Sequence, residues 1–210
     1  MARPTEPVYH ELQHAYDAFN RGLFGGVLPP CLITLQPGSR SYGFFPEHRW
    51  DNETGEMADE IALNPAQLAE LPVQDVLSAL AHDMTHLWQY HFGKPSRAGY
   101  HNREWADKML DIGLQASHTG APGGKRTGQR MSHYPVADGA FDQVSRSLLA
   151  EGLTFSWRIP AEPVAAPRQG RRKTASRCKY TCLVCGLNAW AKPNIRLYCG
   201  TCELELLVVA

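Results

Sequence analysis

Nowhere does this chain carry an apolar run approaching the roughly 18 residues that a membrane-spanning helix needs, which excludes a helical integral membrane protein. Net charge is also missing: 21 Lys and Arg stand against 21 Asp and Glu. The opening residues, MARPTEPVYHELQHAYD, lack the apolar core of a secretory signal, so a reducing cytoplasm is the expected compartment and no membrane is an expected partner. Cysteine is scarce until late, since only Cys31 precedes Cys178. Thiols in a reducing compartment point to metal binding or reactivity before disulfides. What is present, 43% hydrophobic, 10% aromatic and 20% charged residues over 210 positions, is the composition of a globular protein with one ordinary domain and room for a small second one. Disordered, collagenous and coiled-coil chains are excluded.

The zero net charge hides a split along the chain. Residues up to 161 hold 13 basic against 18 acidic side chains, whereas 162 to 210 hold 8 against 3, and no acidic residue lies between Arg168 and Cys202. A basic end on an acidic protein is either an electrostatic footprint for a polyanion, above all nucleic acid, or a solvated linker.

Periodicity orders the first part. Tyr9, Leu12, Tyr16, Phe19 and Leu23 recur three to four apart and predict an amphipathic helix over 9–23, stopped at Gly25-Gly26. Residues 31–36, 41–46 and 59–65 read as three short strands of one small sheet. A short helix is predicted to Leu71, and a longer one from near Val73 to about His91. Another helical stripe, Trp105, Met109 and Ile112, lies within 103–114. Residues 117–130, rich in glycine and basic side chains, predict a long surface loop, followed by a helix over 141–150 and a strand over 153–159. Residues 160–177, rich in Pro, Gly, Arg and Lys, have the composition of an extended linker.

Beyond it, Cys182 and Cys185 are separated by thirteen residues from Cys199 and Cys202. Two such pairs are the spacing of a four-thiolate zinc ribbon, in which two tight turns each present two sulfurs to a tetrahedral ion. Gly186 and Gly200 sit where such turns need backbone freedom, and about 30 residues bury too little core to fold without the metal. Cys178 is a spare thiol near the ribbon and Cys31 a buried strand cysteine. Arg168, Arg171, Arg172, Lys173, Arg177, Lys179, Lys192 and Arg196 lie in or before the ribbon as candidate phosphate contacts. Tyr180, Trp190 and Tyr198 offer flat faces, most of them expected to pack in the ribbon core.

Two stretches have the i, i+4 histidine spacing of a helical zinc site. His10-Glu11-Leu12-Gln13-His14 is a literal HExxH, yet its helix already turns Leu12, Tyr16 and Phe19 to a core, which sends both histidines toward solvent. His82-Asp83-Met84-Thr85-His86 instead follows the apolar lead-in Val76-Leu77-Ser78-Ala79-Leu80-Ala81. There the two imidazoles stand one above the other, a carboxylate follows the first, and His101 can return after a glycine-bearing turn as a third ligand. Three neutral imidazoles leave a fourth position for a water whose pKa the metal lowers. Glu104 can orient a ligand or simply start a helix with favourable charge, and His133 and Tyr134 can serve an oxyanion or sit in a turn beside Pro135. His48, His91 and His118 have no partner spacing and read as surface residues, and Trp88 and Trp105 read as core.

These residues, with ELQHAYDAFNRGLFGGVLPPCLITLQ, GFFPEHRW, DEIALNP, LSALAHDMTHLWQYHFGKPSRAGYHNREWADKMLDIGL, PGGKRTGQRMSHY and YTCLVCGLNAWAKPNIRLYCGTC, resemble the SprT-like metallopeptidases. That family includes the Spartan proteases, which degrade protein crosslinked to DNA, and the likeness is to its bacterial branch with a terminal zinc ribbon. The resemblance implies an α+β, zincin-like domain over 5–159 with a small sheet and an active-site helix, and a β zinc ribbon over 178–207. It implies two zinc ions, one on His82, His86 and His101, the other on Cys182, Cys185, Cys199 and Cys202. It implies DNA as a partner, DNA-bound protein as substrate, and a nucleoid-associated cytoplasmic location.

The chain departs from the family where the general-base Glu is expected, because Asp83 stands there. Its carboxylate is withdrawn by about 1.5 Å, one carbon–carbon bond. Three readings follow: a slow peptidase, a peptidase whose helix is shifted to suit Asp, or an inert zinc-containing protein that binds DNA or transcription machinery.

Overall fold

The computed structural model describes residues 3–36, 50–157 and 177–208. They fall into two compact units, within Met1–Ala161 and Glu162–Ala210. The first mixes helices with small sheets, an α+β arrangement, and the described residues of the second form strands and turns alone.

In the first unit, α1 (Thr5–Phe24) buries Val8, Leu12, Tyr16, Phe19 and Leu23 on one face. Val8 rather than Tyr9 completes that stripe; Tyr9 is exposed. Gly25, at φ +66°, ends the helix in the left-handed conformation that a glycine adopts without steric cost. Strand β1 (Cys31–Leu35) pairs in parallel with β3 (Met57–Leu63), Ile33 opposite Ile61, while the short β2 (Trp50–Asp51) pairs antiparallel on the other side. The strand expected at 41–46 lies outside the described residues. After α2 (Gln67–Glu70) comes α3 (Val73–Phe92), buried continuously from Val76 to Thr85 and packed on β3. A helix covered on all sides must hold its polar side chains in prepared surroundings, and α3 carries His82, Asp83 and Thr85 at that depth.

Helix α4 (Arg103–Asp111) stops three residues short of the expected 103–114, and the chain turns through Gly113 into β4 (Leu114–Ser117). The expected loop over 117–130 is the connection of a hairpin, since β4 pairs antiparallel with β5 (Ser132–Pro135). Helix α5 (Ala140–Ala150) follows, with Phe141 packing on Phe19 of α1 at a ring separation of 5.5 Å. No strand forms over residues 153–157. Leu153 N–H instead closes on Leu148 O, and Ser156 N–H donates to the Glu11 carboxylate at 2.9 Å, which ties the segment back to α1. The literal HExxH is thus partly spent on structure: Glu11 holds that tie, His14 lies 3.7 Å from Glu151, and His10 is exposed.

Gly113 joins three elements. Its backbone sits at φ +86°, and a Cβ there would come within 2.8 Å of Ala140 N and 2.9 Å of Phe141 N. Both the handedness and the approach require glycine, so Gly113→Ala is expected to cost about 3 kcal/mol. Gly25→Ala, equally left-handed but with nothing within 4 Å, should cost only about 1 kcal/mol. Urea unfolding of the two variants measures the difference, and equal losses would mean that the Gly113 contact is relieved by a backbone shift.

The second unit contains β6 (Cys178–Thr181), β7 (Asn188–Ala191) and β8 (Leu207–Val208), with β6 central and both pairings antiparallel. Its buried core is Tyr180, Cys182, Cys199 and Leu206. Of the linker expected at 160–177, only Arg177 is among the described residues.

Candidate metal centre

The site begins with one turn of α3. His82 and His86 are four residues apart, so their rings meet edge to face along the helix, with centroids 5.1 Å apart. The chain leaves α3 at Gly93, and His101 returns to the same place in a two-way backbone bridge: its N–H donates to Gly128 O at 2.8 Å, and Gly128 N–H donates to His101 O at 3.1 Å. The loop carrying the third histidine is therefore stitched to the β4–β5 connection. Beneath all three rings lies the fully buried indole of Trp105, with centroid separations of 4.8 Å to His82, 5.3 Å to His86 and 4.4 Å to His101. Trp105 is core, as its helical spacing suggests, and it is also the floor of this pocket.

One nitrogen from each of His82, His86 and His101 converges so that all three lie within 4.8 Å of one another, and His86 Nε2 and His101 Nε2 are 3.1 Å apart. Tetrahedral zinc with bonds of about 2.0–2.1 Å needs ligand nitrogens roughly 3.3 Å apart. Burial dominates the protonation of the group. It drives His82 well below the ordinary imidazole range, with repulsion from His86, His133 and His101 adding to it, and pushes His86 down to about 3, with His101 adding. His101 is lowered by burial, against the Gly128 carbonyl. Three imidazoles that burial keeps uncharged thus bring one ring nitrogen each to the same place, an arrangement suited to a cation.

Asp83 stands outside the convergent group. Its side chain is 2% exposed, Oδ2 has no hydrogen-bond partner, and burial raises its pKa well above the ordinary carboxylate range. A buried carboxylate oxygen without a partner is costly and signals a function or a missing neighbour. The donor set and this orphaned oxygen fit a metal with a nearby base.

Around the group, Gln89 donates to Asn102 Oδ1 and Glu104 Oε2, both at 2.7 Å, and Lys94 N–H also donates to Glu104 Oε2 at 2.7 Å. Asn102 Oδ1 in turn accepts from Trp105 N–H and caps α4. Glu104 thus clamps the end of α3 to the start of α4 rather than reaching an imidazole. His133 is placed against His82, Nδ1 to Nδ1 at 3.1 Å, and its Nε2 is 2.9 Å from Ser78 Oγ. Strand alternation sends Tyr134 to the other face of β5, where it lines a cleft with Gln115, Ser117 and Arg126. His91, expected as a lone surface residue, contacts the buried Asp59 at 2.6 Å, and His118 Nδ1 accepts from Lys125 N–H at 2.8 Å. His48 lies outside the described residues. Gln89, Ser78 and Gly128 carry no motif that marks them in the sequence; Asn102 carries one, the capping preference just before a helix.

In the second unit the Sγ atoms of Cys182, Cys185, Cys199 and Cys202 lie within 4.8 Å of one another. Each pair sits on a tight turn closed by backbone bonds, Gly186 N–H to Cys182 O and Glu203 N–H to Cys199 O. Backbone N–H groups of Cys185 and Val184 hold the Cys182 thiol low, and those of Cys202 and Thr201 hold Cys199 at about 7, which favours thiolate. Gly186 takes φ +72°, as its position suggests, but Gly200 does not serve the second turn: Glu203 adopts the left-handed conformation there, at φ +53°. Cys178 packs beside this core, and Cys31 is half-buried on β1 next to Tyr16.

Among the candidate phosphate contacts, Arg177, Lys179 and Lys192 are exposed and Arg196 lies 3.8 Å from Glu205; Arg168, Arg171, Arg172 and Lys173 are outside the described residues. Core packing holds for Tyr180, whose hydroxyl donates to Lys192 O, but Trp190 and Tyr198 are 62% and 64% exposed. Period-two alternation is the reason: with Tyr180 turned inward, Lys179 and its cross-strand partner Trp190 face outward together.

The sequence model of the SprT-like family matches residues 33–126, a stretch that includes all three histidines. A Salmonella typhimurium protein described as "uncharacterized protein in mucB 3'region" is 52% identical over 59 residues, which cover 28% of this chain and 80% of that protein. No solved structure matches. Among the described residues no helix is long and apolar enough to cross a membrane.

Proposed function

This chain belongs to the SprT-like family, and from that membership and its three-histidine pocket we propose that it is a zinc-dependent metallopeptidase acting on protein bound or crosslinked to DNA. The observation that carries the reading is the convergence of His82, His86 and His101 over the Trp105 floor, one residue away from a buried carboxylate with an unsatisfied oxygen. When bound, zinc supplies a Lewis acid that polarises a carbonyl and acidifies a water. The rest is the work of side chains. His82, His86 and His101, uncharged, would hold the ion, Trp105 would keep water from the underside, and Asp83 would accept a proton from water and pass it to the leaving amine. The four cysteines, whose sulfurs lie within 4.8 Å of one another, would hold a second zinc as a structural ion. The site is tested by metal analysis of pure protein: about two zinc ions per chain are expected, and about one after His82→Ala or Cys182→Ser. Loss of metal after His10→Ala would move the site to the other motif.

DNA enters through the second unit, where Lys179 beside Trp190, with Arg177 and Lys192, offers cations and an exposed aromatic face for backbone and bases. Affinity for single-stranded DNA should fall steeply with salt, by about 0.7 of a log unit per log unit of salt for each phosphate contact. It should drop further on deletion of residues 168–210, and Trp190→Ala should weaken it with the salt slope unchanged. Exposed Leu183 and Val184 on the first cysteine turn favour a second reading, a ribbon that docks another protein. Salt-insensitive capture of a protein by the ribbon would establish that one.

A further inference from the structure

A neutral imidazole has one N–H and one lone pair, so it can ligate a metal only through the nitrogen whose proton has been drawn to the other side. For His101 the arrangement is plain. Its Nδ1 is 3.2 Å from Gly128 O, a carbonyl can only accept, and the proton therefore sits on Nδ1 and leaves Nε2 bare. The partner of His82 Nδ1 is another imidazole, His133, at 3.1 Å, and that pair alone does not say which ring donates.

Ser78 decides it. Its hydroxyl carries a single proton, which goes to Asp75 O at 2.8 Å, because a carbonyl can only accept. Toward His133 Nε2, 2.9 Å away, Ser78 Oγ must then accept, which places a proton on Nε2 of His133. The neutral ring consequently turns a lone pair at Nδ1 toward His82, and His82 Nδ1 must donate. That leaves Nε2 of His82 bare.

We propose that Ser78 and His133 are positioning residues of the three-histidine centre: the chain from His82 through His133 and Ser78 to Asp75 O fixes the tautomer in which His82 offers Nε2 to the ion. The proposal rests on the zinc reading of that centre and adds how its first ligand is prepared. Without such a chain a free imidazole is not held to the Nδ1–H form, and each turn of the tautomer or the ring removes a ligand. The chain begins on α3, one turn before His82, and passes through β5, beyond the stretch 33–126 that matches the family. The β4–β5 hairpin therefore supports two of the three ligands, His82 through His133 and His101 through Gly128.

The test uses the full chain and its His133→Leu, His133→Asn, Ser78→Ala and His82→Ala variants. Zinc affinity of the histidine site is measured by chelator competition, and ring-nitrogen NMR of 15N-histidine protein with that site emptied reads the tautomer of His82. His133→Leu, which cannot accept, should weaken zinc at this site by about 10- to 100-fold and shift His82 from Nδ1–H toward Nε2–H. His133→Asn, whose side-chain oxygen can accept at the same place, should recover most of both; Ser78→Ala should give a smaller loss in the same direction. If His133→Leu does not fold, judged by melting of the metal-free protein, the Asn and Ala variants carry the test. Wild-type affinity and an unchanged His82 ring in His133→Leu would overturn the positioning role while leaving the zinc site intact. A full complement of zinc in His82→Ala would instead overturn the zinc reading itself. Loss of zinc in His133→Asn as complete as in His82→Ala would make His133 a ligand and also end the proposal.

Discussion

Replacing Asp83 by Glu is expected to raise the rate at which the protein would cleave a DNA-bound protein by an order of magnitude or more, and Asp83→Ala to bring it to background, with zinc retained in both. The expectation follows from the length of one side chain in an otherwise complete pocket. Three imidazoles converge, Trp105 closes the floor, and only the base is short by one carbon–carbon bond, about 1.5 Å. A misplacement near 1 Å of a proton acceptor costs on the order of 10²-fold. The orphaned Oδ2 agrees with a carboxylate that stops short of its partner. Against the gain stands the bulk of an added methylene in a fully buried helix, typically about 1–3 kcal/mol of stability, which lowers the melting temperature without touching the ligands. Cleavage of a DNA-bound protein, measured with and without DNA and with a chelator, separates three outcomes. A faster Glu variant identifies a peptidase limited by its base. A robust wild type that Glu does not improve identifies a pocket adapted to Asp, and the length argument fails. Inert wild type, Glu and Ala proteins, all with zinc and all bound to DNA, identify a structural zinc in a DNA-binding protein.

How much of this was legible in the sequence differs by element, for physical reasons. The helices α1 and α4 announce themselves through apolar residues three or four apart, and α3 through its start signal and apolar lead-in, with extents that come within a few residues. The surroundings of His82-Asp83-x-x-His86 are legible too, because an apolar lead-in places the histidines in a core, whereas His10 and His14 flank an apolar stripe that excludes them. The β4–β5 hairpin is not. Its strands are four residues each, with a connection full of glycine and charge, and what makes them strands is pairing across fourteen intervening residues, Ser117 with Ser132. With the hairpin went the means of seeing Gly128 behind His101 and Ser78 behind His133, contacts that exist only in three dimensions. Gln89 is a similar case, since nothing in its neighbourhood distinguishes a surface glutamine from one that ties Asn102 to Glu104. In the ribbon the cysteine spacing fixed the cluster, but the exposure of Trp190 depended on which way Tyr180 turned.

Removing metal from the four cysteines, by chelator or by Cys182→Ser, is expected to unfold residues 177–208 while the first unit keeps its own thermal transition. The buried interior of this unit is Tyr180, Cys182, Cys199 and Leu206, so two of the residues that hold it together are themselves candidate ligands. Each buried apolar side chain contributes about 1.5–3 kcal/mol, whereas fixing one residue of backbone costs about 1–2 kcal/mol, and some thirty residues must be fixed. Burial falls far short, and the antiparallel pairing of β6 with β7 and β8 adds only the small net worth of each hydrogen bond, about 1 kcal/mol. A structural zinc on thiolates contributes roughly 10–16 kcal/mol, the largest single stabilising contribution open to this unit. Glu203 makes the dependence sharper, since its left-handed backbone is a strain that the closed turn must hold. Amide hydrogen exchange reads the result residue by residue: protection across 178–191 should fall to that of an open chain, and DNA affinity should fall with it, while α1, α3 and α5 stay protected. Protection of β6 and β7 that survives Cys182→Ser and complete chelation would mean that the unit folds on burial alone, and the sulfurs would then be only neighbours.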